Sequence, residues 1–189
     1  AFPGDFYDFI HIDGQQDGDG TYHDLEMALE KGRYILVDGY FWTDENMLSS
    51  TYFLKKYEKF IEYSIVIPGY AGDLLIKTRE CARNMLGCQP KDYLGLKNSF
   101  SSEYYFNICD GYEEFLRSNG KELNTKYSAI FALVNPKREE NILDIGCGRG
   151  ELAFALSQTG ANVIGLDYSN HSIEIAKKTY SEYIGQNLN

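Results

Sequence analysis

The chain has 189 residues, with 18 Lys and Arg against 28 Asp and Glu, for a formal net charge of −10. That balance argues against a protein that grips nucleic-acid phosphates, which needs a basic face, and against a polybasic membrane-surface protein. At 43% hydrophobic and 24% charged, the composition is that of a folded globular chain. No apolar run approaches the roughly 20 residues of a membrane span.

No basic segment followed by an apolar stretch opens the chain, so a cytoplasmic protein is expected. Cys81, Cys88, Cys109 and Cys147 form no C-x-x-C pair and have no close His pair beside them. They read as reduced thiols rather than a zinc site or a disulfide framework. The charge is uneven. Residues 1–80 hold 7 basic and 15 acidic residues, net −8, whereas 81–189 hold 11 and 13, net −2. Two units of different origin are expected: 1–80, a linker at 81–100, and 101–189.

In chain order, Phe6 to Ile12 is a short apolar run stopped by Asp13-Gly14, a buried strand. A Gly- and Asp-rich loop follows. Thr21–Lys31 reads as a helix with Leu25, Ala28 and Leu29 on one face, stopped by Gly32. Arg33–Asp38 is a second buried strand closed by Asp38-Gly39. Met47–Phe60 reads as an amphipathic helix with Leu54, Tyr57 and Phe60 inward. Tyr63–Pro68 and Asp73–Lys77, around Gly69–Gly72, predict a hairpin. Ser101–Leu116 and Asn124–Val134 read as helices, the latter with Tyr127, Ile130, Phe131 and Val134 on one face and ended at Asn135-Pro136. Asn141–Ile145 is a strand, Gly146–Gly150 a glycine loop, Glu151–Thr159 a helix, Ala161–Asp167 a strand and Ser169–Tyr183 a helix. Loops this short require parallel strands joined by a crossover.

The glycine loop is where chemistry enters. Glycines after a strand and before a helix let the backbone approach a ligand closely. Asp167, closing the next strand, sits where a carboxylate accepts both hydroxyls of a ribose. The spacing Gly146-Cys147-Gly148-Arg149-Gly150 is G-x-G-x-G and not the G-x-G-x-x-G of dinucleotide binders, which disfavours NAD. Asp144, two residues before the first glycine, suits an ammonium group better than a pyrophosphate.

Ile142 to Leu152, followed by Val163 to Ser169, closely resembles the first two motifs of class I S-adenosylmethionine-dependent methyltransferases. The resemblance implies S-adenosylmethionine as cofactor. Asp144, Gly146, Cys147, Gly148 and Gly150 would line its methionine end, Asp167 would hold the ribose and Tyr168 would lie against the adenine. The helices from Ser101 to Val134 resemble those that cap the cofactor in this family, although Tyr104, Tyr105 and Tyr112 read as core aromatics.

Residues 6–78 resemble the other half of such a domain, from its fourth strand onward, in the macrocin O-methyltransferase type. That likeness implies a hydroxyl acceptor on a small molecule or glycan and a divalent metal, Mg2+, held by Asp13 and Asp38. This chain departs from the pattern at two places. Gly39 stands where the second acid of a pair belongs, and Gln16 stands where a histidine base belongs. Asp17, Asp19 or His23 are the substitutes at hand, and Asp13 and His23 are the candidate catalytic residues. A strand-end turn role for Asp13 and Asp38 is the competing reading.

The expected fold is therefore α/β, a Rossmann-like class I methyltransferase sheet with its halves in permuted order: strands 4-5-6-7, then 1-2, with edge strand 3 missing. Ala1 at the start and the end at Asn189 suggest an excerpt of a tandem methyltransferase protein. The halves are expected to pair into one composite sheet, because each alone leaves strands unpaired. The expected partner is a small-molecule or glycan acceptor, with no nucleic acid and no membrane. The alternative is a cofactor-binding module without activity.

Overall fold

Parallel pairing of two apolar strands organises the first unit, Ala1–Asp92, and the same device organises the second, Tyr93–Asn189. The computed structural model describes residues 5–84 and 111–189. The expected linker beyond residue 84, the Ser101–Leu116 helix up to residue 110, Tyr104, Tyr105, Cys88 and Cys109 lie outside the described residues.

In the first unit, β1 (Tyr7–Ile12) leads through α1 (Asp19–Leu29) to β2 (Gly32–Val37), in parallel register with Ile10 opposite Ile35 and Ile12 opposite Val37. Helix α2 (Asp44–Lys56) and a 3-10 turn (Glu58–Phe60) precede β3 (Ile61–Ile67) and β4 (Asp73–Thr78), which form the expected antiparallel hairpin. β4 runs antiparallel to β2, so the order within this unit is β3-β4-β2-β1. β1, β2 and β4 are buried along most of their length, and α1 packs on β1 and β2. β3 has five consecutive exposed residues, Glu62–Val66, as the end strand of this order.

Leu25, Ala28 and Leu29 are buried on α1 as the spacing requires. The helix starts two residues earlier than expected, inside the Asp-Gly loop. There Asp17 accepts the Gly20 N–H at 2.8 Å and satisfies one of the donors a helix start leaves open. Gly32 is the first residue of β2 rather than the helix stop. α2 departs most from expectation. Thr43 caps it by accepting the Asn46 N–H at 3.0 Å, and its fully buried face is Asn46, Ser50 and Phe53. Leu54, Tyr57 and Phe60 are only half-buried. A polar inward face is sustainable because Asn46 has partners there: Thr21 on α1 and the Gly39 carbonyl, to which its amide donates at 2.8 Å.

α1 and α2 are also tied by Glu26, which accepts from Tyr57 at 2.5 Å and from Lys56 at 3.0 Å. Burial raises the Glu26 carboxyl, but donation from Tyr57, Lys56 and Tyr22 more than offsets it and holds the group down at about 2. Its folded-state value is depressed, so the stability it contributes is present above the ordinary carboxylate range and is lost only as pH falls towards 2.

In the second unit, α3 (Tyr112–Ser118) and α4 (Thr125–Val134) precede β5 (Asn141–Ile145), α5 (Glu151–Ser157), β6 (Asn162–Leu166) and α6 (Asn170–Thr179). On α4 Tyr127, Phe131 and Val134 are half-buried and Ile130 is buried, as the spacing predicts, and Asn124 caps the helix. β5 and β6 are parallel in register from Asn141–Asn162 to Ile145–Leu166. The far side of β6 is not bare. Val163 donates to the Asn187 carbonyl at 2.7 Å and accepts from Asn189 at 2.9 Å, while Gly165 donates to Asn189. The last residues thus begin parallel pairing beside β6, where the sequence suggested a missing strand. No helix among the described residues is long and apolar enough to cross a membrane.

Candidate functional site

The first candidate site is the turn between β5 and α5. Gly146, Gly148 and Gly150 all have positive φ, at 77°, 54° and 87°, a region that disfavours side chains. The turn is anchored to the end of β6. Gly146 and Cys147 both donate to the Leu166 carbonyl, at 2.7 and 3.0 Å. Gly148 N–H donates to one Asp167 oxygen at 2.9 Å, and Ser169 N–H donates to the other at 2.8 Å. A carboxylate offers about four acceptor positions, so Asp167 retains capacity for further donors. Asp144, at the end of β5, is 1% exposed, whereas Tyr168 is 46% exposed.

Cys147 lies between these acids. Burial pushes its thiol well above the usual range, and Asp144 and Asp167 push it further. Its thiol is therefore held in the protonated form. Gly165 is the matching concession on β6, since a Cβ there would come within 3.1 Å of the Cys147 Sγ. Arg149 turns inward. It is 3% exposed, pairs with Glu151 at 2.8 Å and lies over Phe115 at 5.1 Å. The loop is thereby tied to α3. The positive φ at the glycines, the acceptor capacity at Asp167 and the acid at Asp144 fit a nucleoside bearing a cation.

The second candidate site is the matching strand end in the first unit. Asp38 N–H donates to the Ile12 carbonyl at 2.9 Å, and the parallel register brings Asp13 beside Asp38. The Gln16 amide nitrogen lies 3.2 Å from Asp13 Oδ1 and 3.4 Å from Asp38 Oδ2. Asp17 is exposed and engaged at the start of α1 with Gly20 and Gln15. Asp19 is exposed, and His23 is half-buried on the second turn of α1. No group of three or more His, Cys, Asp or Glu among the described residues is placed to hold a metal ion. The donor set at Asp13 and Asp38 does not fit Mg2+, because a carboxamide nitrogen, itself a donor, faces both carboxylates.

Residues 136–187 match the family model described as a methyltransferase domain. The matched segment runs from β5 through α6 and contains the whole glycine turn and Asp167. The class I S-adenosylmethionine-dependent methyltransferase likeness of this segment therefore stands. Among curated proteins, the chain is 38% identical over 66 residues to an O-methyltransferase of Pyrenophora dematioidea, covering 33% of this chain and 25% of that protein. It is 37% identical over 86 residues to protein arginine N-methyltransferase 1 of Saccharomyces cerevisiae, covering 43% and 24%. It is 40% identical over 43 residues to a ubiquinone biosynthesis O-methyltransferase of Actinobacillus pleuropneumoniae, covering 23% and 18%. The chain thus spans about a quarter or less of the length of these relatives. It is also similar to a solved structure of the M1.HpyAVI–SAM complex, at 13% identity and a TM-score of 0.48, over 92% of this chain and 88% of that one.

Within the segment that matches the methyltransferase-domain model, sequence reasoning named the glycines and both acids but not the residues that support the turn. Arg149 and Glu151 form a buried pair, and Tyr180 packs under Gly150. In the first unit it missed Asn46 and the bridging role of Gln16. It also missed Asp24. Burial, and secondarily Asp17, raises the Asp24 carboxyl to about 6. The folded-state value lies above the unfolded one, so the proton is held more tightly in the fold, and stability declines as pH rises from about 4 through 6. Asp24→Asn removes that penalty. It is expected to stabilise the protein by about 1–2 kcal/mol at neutral pH, and the gain should disappear near pH 4. Urea unfolding midpoints of the two proteins at both pH values check this.

Proposed function

We propose that the chain is part of an S-adenosylmethionine-dependent methyltransferase that methylates a hydroxyl of a small molecule or glycan. The observation that carries this reading is the glycine turn whose Gly148 N–H and Ser169 N–H are both held by Asp167, inside a segment matching the methyltransferase-domain family. Bound S-adenosylmethionine supplies a methyl group on a sulfonium, ready for in-line displacement. The protein's own part is binding and alignment, which supplies much of the acceleration in such displacements.

Asp167 would accept the ribose hydroxyls, the turn's backbone would pass close to the amino-acid end, and Asp144 would favour its ammonium. Tyr168, half-exposed beside Asp167, would cover the adenine. Cys147 is held as a neutral thiol, and alignment for the displacement asks no nucleophile of it. The acceptor half is read in residues 6–78, with Asp13 and His23 as the groups for handling the acceptor's proton. The acidity of residues 1–80, net −8, supports a neutral or cationic acceptor over an anionic one. The names of two relatives as O-methyltransferases support the hydroxyl class.

Isothermal titration of the chain with S-adenosylmethionine tests the cofactor assignment. Saturable one-site binding is expected, and no binding sinks the reading. Turnover against a panel of hydroxylated acceptors then separates an enzyme from a binding module without activity. One observation favours the module: an amide, not an imidazole, stands at the position of Gln16.

A further inference from the structure

The departures of residues 16 and 39 from the macrocin O-methyltransferase pattern are one structural change. From it we infer that the Gln16 carboxamide takes the place of a metal ion between Asp13 and Asp38 and makes this strand-end site metal-independent. The inference rests on the acceptor-half reading above. The parallel register of β1 and β2 sets two carboxylates side by side at the strand ends, an arrangement that is repulsive unless a cation or a donor lies between them. Gln16 provides the donor. Its nitrogen is 3.2 Å from Asp13 Oδ1, 3.4 Å from Asp38 Oδ2 and 3.5 Å from the Asp38 carbonyl. All three partners are acceptors, so the amide orientation follows from chemistry: the flipped amide would turn an oxygen towards them.

Gly39 completes the exchange. A Cβ at residue 39 would come within 2.7 Å of Gln16 Oε1, 2.8 Å of its Nε2 and 2.9 Å of its Cδ. The backbone there has φ +67°, which disfavours a side chain independently. The amide therefore occupies the space that an acid at residue 39 would use. The Gly39 carbonyl is in turn held by Asn46 at 2.8 Å, which fixes the turn over which the amide lies. Gln16 is thus a positioning residue: its amide nitrogen spans the two strand-end carboxylates at the place a bridging cation would take.

Mn2+ titration followed by electron paramagnetic resonance tests this on the intact chain. The unaltered protein is expected to leave the free Mn2+ signal undiminished up to about 1 mM, and Gln16→Glu, which gathers a third carboxylate, to bind at least about tenfold more tightly. That gain should be lost in the double variant Gln16→Glu/Asp38→Asn. In parallel, Gln16→Ala should unfold at lower temperature than the unaltered protein, and Mn2+ should raise its Tm but not that of the unaltered protein. Stoichiometric Mn2+ binding by the unaltered chain below about 0.1 mM overturns the inference. So does a Gln16→Glu variant with no gain, which decides the matter alone if Gln16→Ala fails to fold. Cofactor titration of the same samples keeps failure of the methyltransferase reading separate from failure of this one.

Discussion

Asp167→Ala is expected to lower the affinity for S-adenosylmethionine by at least about a hundredfold, because two hydrogen bonds to a charged acceptor, worth about 1.5–3 kcal/mol each, are lost together. Two effects combine in this residue. Its carboxylate would accept the ribose hydroxyls, and it already organises the turn by holding the Gly148 and Ser169 N–H groups at 2.9 and 2.8 Å. Those two donors use only part of its acceptor capacity, which is why the same group can serve the protein and the ligand at once. Asp167→Asn gives a sharper test. It preserves size but replaces one acceptor oxygen with a donor, so one N–H partner and one hydroxyl partner are lost and an intermediate affinity is expected. Calorimetry on the three proteins reads this order. Unaltered affinity in Asp167→Ala would remove Asp167 from the cofactor site, whatever the fate of the turn.

Tyr180→Ala should destabilise the second unit by about 3–5 kcal/mol, the usual cost of truncating a large buried aromatic. Tyr180 is 2% exposed and stacks on Phe154 with ring centroids 4.5 Å apart and planes 14° from parallel. Its hydroxyl donates to the Gly120 carbonyl at 2.7 Å. Its ring lies so close under Gly150 that a Cβ there would be 3.3 Å from it. The residue therefore joins the end of α6, the start of α5 and the turn after α3. Tyr180→Phe keeps the stacking and loses one hydrogen bond, so a cost of about 1 kcal/mol is expected. Denaturant midpoints of the two variants should differ accordingly. Gly120→Ala should resemble Tyr180→Ala rather than Tyr180→Phe, because a Cβ at Gly120 would lie 2.2 Å from the Tyr180 hydroxyl and would displace the ring. Equal stability of Tyr180→Ala and Tyr180→Phe would show that the ring is not a support of the turn.

The elements easiest to read from sequence were those whose cause is local. The β5–α5 turn is legible because three glycines at alternate positions require a backbone that only glycine adopts readily, and their φ values are all positive. α4 was legible because its half-buried residues follow a single helical period and Asn124 announces its start. The helix α2 is legible too, but its buried face differs from the expected one for a reason that no window of sequence contains. Its fully buried face includes Asn46 and Ser50, two polar residues, because Thr21 and the Gly39 carbonyl wait for Asn46 from elsewhere in the chain. Hydrophobic periodicity selected Leu54, Tyr57 and Phe60 instead, which end half-buried near the helix terminus.

The glycine turn and Asp167 are 17 residues apart, joined by one helix and one strand of a single crossover, and residue type and spacing alone marked both. The strand-end pair Asp13 and Asp38 was equally visible as two aspartates, each followed by glycine. What happens between them was not. They are 25 positions apart, and only the register of β1 on β2 sets them side by side. Only the fold of the loop between them lays the Gln16 amide across the pair and against Gly39. Local backbone preference is written in consecutive residues, whereas electrostatic pairing depends on distances that chain packing alone sets. Residue type and spacing therefore marked the glycine turn and the acid after it, and the tertiary structure decided that a neutral amide stands between the two carboxylates.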